Sequence, residues 1–270
     1  MSYRSIVSKR FALITISALC SCSGLNYPAA RAETRAATMP GAVAVVELFT
    51  SEGCSSCPPA DTVLAAIARD ARERNVAVYP IAFHIDYWDR LGWKDPFSSA
   101  AATARQQTYA QALGSSQYTP QMIMNGRTEF VGSDSDRAKK EIAAALIEPV
   151  AARVRVSASR ASDSSLAVEY SVEKAPRSAV LNVVVVEGAL KTQVHHGENA
   201  GRTLHHENVA RAIKTFSLDA GATGKITLDV PAGMSDSNVS VIAYVQEASM
   251  RIVGASSAAI AAPVARPPSH

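Results

Sequence analysis

Cys54 and Cys57 stand three residues apart in Cys54-Ser-Ser-Cys57, between the apolar run Val43-Ala-Val-Val-Glu-Leu-Phe49 and the helix-compatible Ala60-Asp-Thr-Val-Leu-Ala-Ala-Ile-Ala68. A strand that runs into two such cysteines and then into a helix suits disulfide exchange, because a helix amino terminus stabilises a thiolate. Cys54 is the expected nucleophile, and Cys57, one turn on, the resolving thiol. Pro58 and Pro59 remove two amide donors, which predicts an irregular first turn. Reductant and oxidant both stay open, since dithiols of this type span about −270 to −120 mV. The remaining cysteines, Cys20 and Cys22, fall in an amino-terminal export segment, so in most processing scenarios Cys54 has no intramolecular partner except Cys57.

Proton traffic needs further groups. Glu47 interrupts an apolar strand seven residues before Cys54, and an acid buried beneath the dithiol would accept the Cys57 proton. A Glu on an exposed strand face is the plainer alternative. The segment His84-Ile-Asp-Tyr-Trp-Asp89, continuing to Gly92-Trp-Lys-Asp-Pro96, gathers both tryptophans, a histidine and three carboxylates into thirteen residues. Trp88 and Trp93 are candidates for a peptide-binding wall and His84 for proton exchange with the thiols. The competing reading is a packed loop whose aromatics cover a core and whose histidine is held by a hydrogen bond.

These residues need a scaffold. Val43–Thr50 reads as a buried strand, Asp61–Arg74 as a helix and Val76–Phe83 as a second strand. Ser98–Leu113 reads as a helix stopped by Gly114, and Asn125-Gly126 turns a hairpin between Met122–Met124 and Thr128–Val131. Asp134-Ser-Asp136 caps a last helix, Arg137–Ile147, before Pro149. The order β-α-β-α-β-β-α with a dithiol after the first strand predicts an α/β thioredoxin-like domain over residues 40–149. From Arg153 the pattern becomes alternation, in Arg153–Ser157, Ser165–Tyr170, Ala179–Val186, Thr215–Asp219, Lys225–Val230 and Val239–Gln246, which predicts a β-sandwich-like domain over 150–262. Residues 263–270, with Pro263, Pro267 and Pro268, read as a flexible tail.

Arg4, Lys9 and Arg10 before the apolar run Phe11–Leu19 mark residues 1–32 as a signal peptide, with Ala30-Arg-Ala32 as cleavage site. Leu19-Cys-Ser-Cys22 is an alternative, imperfect lipobox that would end the signal at residue 21 and anchor Cys22 in a membrane. The expected location is periplasmic or secreted, or a lipoprotein facing the periplasm. The net charge is +3, from 27 Lys and Arg against 24 Asp and Glu. Four of the basic residues lie in 1–32, which leaves 23 basic against 24 acidic beyond it. A near-neutral chain has no basic field to recruit nucleic acid.

Three runs, Val45-Val-Glu-Leu-Phe-Thr-Ser-Glu-Gly-Cys-Ser-Ser-Cys-Pro-Pro-Ala-Asp61, His84–Phe97 and Tyr118-Thr-Pro-Gln121, resemble an uncharacterised family of secreted bacterial thioredoxin-like proteins known only as a domain of unknown function. Gly197-Glu-Asn-Ala-Gly-Arg-Thr-Leu-His-His-Glu-Asn-Val209 resembles the second half of that family. The resemblance implies Cys54, Cys57 and Pro120 as the redox site and supplies no substrate. In the thioredoxin fold the pair at Thr119-Pro120 is a cis-proline loop that faces the dithiol and holds an incoming chain. Thr119 and Pro120 are therefore substrate-side residues.

Four of the six histidines form two pairs, His195-His196 and His205-His206. Imidazole suits copper and zinc, but neighbours on a strand point to opposite faces, so one from each pair at most shares a site. A solvent-exposed connection is the reading preferred over a metal site for His195, His196, His205 and His206. The function expected from these residues is an exported thiol-disulfide oxidoreductase acting on protein thiols or disulfides, re-set by a redox partner protein, with the Cys54–Cys57 disulfide and no bound cofactor. The alternatives are a periplasmic copper metallochaperone using the same cysteines with His84, and a non-catalytic binding protein.

Overall fold

The computed structural model describes residues 41–218 and 223–261. The leader, with Cys20 and Cys22, and the carboxy-terminal tail lie outside the described residues.

Strand β1 (Ala44–Thr50) is buried along its whole length. It pairs in parallel with β2 (Val78–His84) and antiparallel with β3 (Gln121–Met124). Helix α1 (Pro58–Arg74) opens on Pro58 and Pro59, at the positions where a missing N–H costs least. Its buried residues Ala60, Leu64, Ala68 and Ala71 recur at three- and four-residue intervals and cover one face of β1. Left-handed Asn75 ends the helix, its N–H directed at Ala71 O and Arg72 O. Helix α2 (Ala100–Leu113) starts on Ser99, whose hydroxyl accepts from Ala102 N, and ends on Gly114. It packs Ala102 and Tyr109 on the opposite face of β1, beside Val45 and Phe49.

A hairpin through Asn125 (φ 46°) and Gly126 (φ 66°) joins β3 to β4 (Thr128–Val131). Position 126 admits only glycine, because a Cβ there would stand 1.8 Å from Met250 O. Asp134 caps α3 (Ser135–Ala145) by accepting from Arg137 N at 2.9 Å.

The strands that follow are β5 (Arg153–Ser162), β6 (Ser165–Glu173), β7 (Val180–Glu187), β8 (Leu190–Gln193), β9 (Thr203–His206), β10 (Val209–Ser217), β11 (Thr223–Asp229), β12 (Val239–Gln246) and β13 (Ile252–Ala261). All but β8 and β9 join the first four in one 11-stranded mixed sheet, ordered β11-β6-β5-β13-β12-β7-β10-β2-β1-β3-β4. Strands β8 and β9 form a separate two-stranded ribbon.

This sheet corrects the expected fold class. The molecule is not an α/β thioredoxin-like domain followed by a β-sandwich-like domain; it is a mostly-sheet structure in which one sheet runs through both halves of the chain. The join is β10, which pairs antiparallel with β7 and meets β2 in parallel at Val209 and Ala82. Asn208 secures it, its carbonyl accepting from Ala82 N and its amide donating to Pro80 O, both at 2.9 Å. The packing agrees. Val183 and Val185 of β7 enter a core with β5, β6 and β11, whereas Val184 and Val186 enter a core shared with β1, β2 and α2. Burial on both faces explains why β7 reads as an unbroken valine run.

Candidate dithiol site

Cys54 and Cys57 are joined by a disulfide with Cα atoms 5.4 Å apart. Both are fully buried, at 0% exposure, while Ser55 and Ser56 between them face solvent. Cys57 occupies the cap position of α1 without a side-chain cap hydrogen bond. The Ser56 hydroxyl lies 3.4 Å from Cys54 Sγ.

The second half of the chain reaches over this turn. Asn199, fully buried, donates from Nδ2 to Glu52 O at 2.8 Å and to Cys54 O at 2.9 Å. Glu198 accepts from Ser55 N at 2.9 Å, and these hydrogen bonds hold its carboxyl below the usual range. Gly197 (φ 77°) lets the chain pass Trp93, to whose Cβ a side chain here would come within 3.2 Å. The family-like Gly197-Glu-Asn-Ala-Gly201 stretch is thus a strap laid on the backbone between Glu52 and Ser55.

Beneath the turn lies a buried cluster of acids and imidazoles. His84 Nδ1 is 2.7 Å from Asp95 Oδ2, which also accepts from Glu52 N at 2.8 Å. His206 Nε2 is 3.0 Å from Glu52 Oε1, and Trp93 Nε1 donates to Glu52 Oε2 at 2.8 Å. Asp61 accepts from Thr50 Oγ1 at 2.8 Å and has its other oxygen 3.9 Å from His206 Nδ1. The two imidazoles meet edge to face, 4.9 Å between centroids. Among the described residues, His84 Nε2 and His206 Nδ1 have no hydrogen-bond partner.

Burial raises the Asp61 carboxyl above its usual value, opposed by the neighbouring His206 and His84. For His84, burial works against the charged ring, but Asp95, then Asp61 and Glu52, outweigh it and the imidazole is held above its usual value. Asp95 is the counterpart. Burial works against its charge, and His84 with the Glu52 and Phe97 amides outweighs that and lowers it.

The other expected residues divide. Glu47 is fully buried but lies in the α2-side core, on the opposite face of β1 from α1. Its Oε1 accepts from Arg105 Nε at 2.7 Å and from Tyr244 OH at 2.9 Å, and Oε2 accepts from Tyr109 OH. Pro120 is buried beside a cis Thr119–Pro120 bond, and Trp88 Nε1 donates to Thr119 Oγ1 at 2.8 Å. Gly53 packs on Trp88, so one chain of contacts links the dithiol turn to the proline loop. His195, His196 and His205 are exposed and His206 is buried, the opposition of faces expected along β9. Among the described residues no group of three or more His, Cys, Asp or Glu is arranged to hold a metal ion.

Sequence reasoning gave no role to Glu52, Asp61 or Asp95, and read the stretch that holds Glu198 and Asn199 only as organising its loop against the first half of the chain. Asp61 had a legible signal, four residues past Cys57 on a helix. Asn199 had none beyond its family-like surroundings.

The family described as protein of unknown function (DUF1223) matches residues 45–246. The chain belongs to this family. Cys54, Cys57, Asp61, His84, Asp95, Pro120, Asn199 and His206 all fall within the matched span. A crystal structure of a structural-genomics target protein from Agrobacterium tumefaciens is 29% identical, covers 85% of this chain and 99% of its own, and superposes with a TM-score of 0.58. HBP35 of Porphyromonas gingivalis, 16% identical, matches over 84% of this chain and 81% of its own with a TM-score of 0.59, a likeness of fold alone. No curated protein matches the chain.

Proposed function

We propose that the protein is an exported thiol-disulfide oxidoreductase that exchanges disulfides with protein thiols through Cys54 and Cys57. The observation that carries this reading is the bonded pair at the start of α1, where Cys57 takes the cap position with no side-chain hydrogen bond. A helix start of this kind offers its dipole to an anion that forms there. Because Pro58 and Pro59 donate nothing, stabilisation of a Cys54 thiolate falls to that dipole and to the Ser56 hydroxyl at 3.4 Å.

In this reading Cys54 attacks, Cys57 resolves, and Thr119, Pro120 and Trp88 form the adjoining surface for a substrate chain. The buried pair becomes reachable when the Glu198–Asn199 strap leaves the Cys54 backbone, so the second half takes part in substrate admission. Residues 1–32 support export to a periplasmic or secreted location, where a redox partner protein re-sets the dithiol. Exchange itself needs no cofactor beyond the two sulfurs.

The test equilibrates the full mature chain with graded ratios of reduced and oxidised glutathione and measures the alkylated fraction by mass. The same chain is then assayed for reduction of insulin and for oxidation of a reduced test protein. A defined potential with activity in one direction, abolished in Cys54→Ser, is expected. A folded protein whose pair exchanges with glutathione but acts on neither protein would sink the reading.

A further inference from the structure

Reduction of a buried disulfide creates a buried thiol, and the proton on that thiol must come from somewhere. Cys57 is fully buried, so bulk water does not reach its sulfur in this conformation. Helix α1 places Asp61 one turn beyond Cys57 on the same face, with Asp61 N donating to Cys57 O at 3.1 Å. Residues four apart are neighbours on a helix face, which makes Asp61 the acid next to Cys57 along α1.

The surroundings of that carboxyl are unusual for a structural acid. Asp61 is 7% exposed and, among the described residues, is paired with Thr50 and His206 and with no lysine or arginine. Its second oxygen faces His206 Nδ1 at 3.9 Å, a nitrogen that is buried and unpartnered. An orphaned buried nitrogen beside a desolvated carboxyl costs stability and so asks for a role, which a changing protonation state supplies. His206 comes from β9, in the second half of the chain.

We propose that Asp61 and His206 together take up and return the Cys57 proton, so that a histidine of the second half completes the thiol site. This rests on the oxidoreductase reading. Once a substrate sulfur is bonded to Cys54, the Asp61 carboxylate accepts the Cys57 proton and the Cys57 thiolate attacks Cys54 Sγ. The Cys54–Cys57 bond forms, the Cys54–substrate bond breaks, and the substrate leaves as a thiolate with the bonding electron pair. The substrate is reduced and the protein pair oxidised; the proton stays on the Asp61–His206 pair until re-reduction returns it to Cys57. Burial holds the Asp61 carboxyl above its usual value, toward that of a thiol, which makes the transfer less uphill.

The groups that face this pair set its pH response. They are Thr50 and Glu52 from the end of β1, His84 from β2, and Trp93 and Asp95 from the loop after β2. Phe97 packs on both imidazoles, and the Arg211 guanidinium of β10 sits 4.9 Å from the centroid of the Phe97 ring.

Two measurements test the proposal on the full chain. In the first, the reduced protein reacts with 5,5′-dithiobis(2-nitrobenzoate), and release of the second thionitrobenzoate reports Cys57 attacking the mixed disulfide on Cys54. Asp61→Asn and His206→Gln are expected to slow this second release about 10²-fold near pH 7 and to flatten its pH profile. In the second, the His206 imidazole is titrated by NMR in the oxidised wild type and after chemical reduction. Reduction is expected to displace the imidazole resonances at fixed pH, because the pair then gives up the proton it held in the oxidised protein.

Folded variants with the wild-type release profile would overturn the proposal, as would a His206 titration blind to redox state. Should a variant fail to fold, the wild-type titration decides. The oxidoreductase reading fails separately, through inactivity on protein substrates while both measurements here come out as expected.

Discussion

Two buried polar clusters flank β1, one toward each face, and they are built on opposite principles. On the α2 side Glu47 meets the guanidinium of Arg105 and the hydroxyls of Tyr109 and Tyr244. Gln246 closes the network by donating to Tyr109 OH at 2.9 Å, and Arg105 lies over the rings of Phe83, Tyr109 and Tyr244. Burial and the carboxylate push both tyrosines well above their usual range, and Glu47 holds Arg105 well above its own despite its burial. Arg105 and the two tyrosines therefore keep one charge state across ordinary pH. Beneath the dithiol the cations are imidazoles, two ring nitrogens are unpartnered, and the acids are held in opposite directions. A cluster with an arginine and full hydrogen bonding makes a rigid joint, whereas one with histidines and vacant nitrogens can change charge without coming apart.

The joint is also where the halves meet, since Tyr244 and Gln246 belong to β12 and Glu47 to β1. Ending the chain at Pro149 removes Tyr244 from Glu47 and strips Val184, Val186 and Ile242 from the shared core. We expect this truncation to have the largest effect, with no cooperative thermal transition by circular dichroism. A sharp transition with native near-ultraviolet signal would break the comparison, because the first half would then stand alone.

Next in size is Arg105→Met, which leaves Glu47 buried without its cation. The expected loss is about 3–5 kcal/mol in urea unfolding, with the rate of Cys54–Cys57 reduction by dithiothreitol in the folded protein unchanged. A changed reduction rate would show that the two clusters communicate through β1.

The smallest expected effect is in pH dependence. His84 is held above its usual 6.5, so its pairing contributes stability fully below pH 6.5 and loses it as pH rises through the folded value. Asp95 is held below its usual 3.8, so its contribution is present above that pH and is lost as pH falls through the folded value. His84→Gln is expected to be less stable than wild type at pH 6 and to converge toward it at higher pH, read as melting temperature against pH. A constant gap from pH 6 to 9 would assign His84 a packing role alone.

The sequence by itself determined the local elements around the dithiol. Gly114 ends α2, Asn125-Gly126 turns the hairpin, Asp134 caps α3, and apolar spacing marks α1. These signals are short-range, because backbone conformation and capping depend on residues a few positions apart. Cys54, Cys57 and the opposition of His205 to His206 were legible for the same reason. Only the tertiary structure decided which strand edges meet. Nothing local to Val209 announces a parallel pairing with Ala82, and β8, β9 and β13 carry too little apolar alternation to be read in isolation. It likewise decided that Glu47 faces the joint, that Asp61 faces His206 and that Asn199 holds Cys54, at sequence separations of up to 197 residues. Those contacts depend on the path of the whole sheet, which is selected by the total burial of both valine faces of β7 and not by any motif.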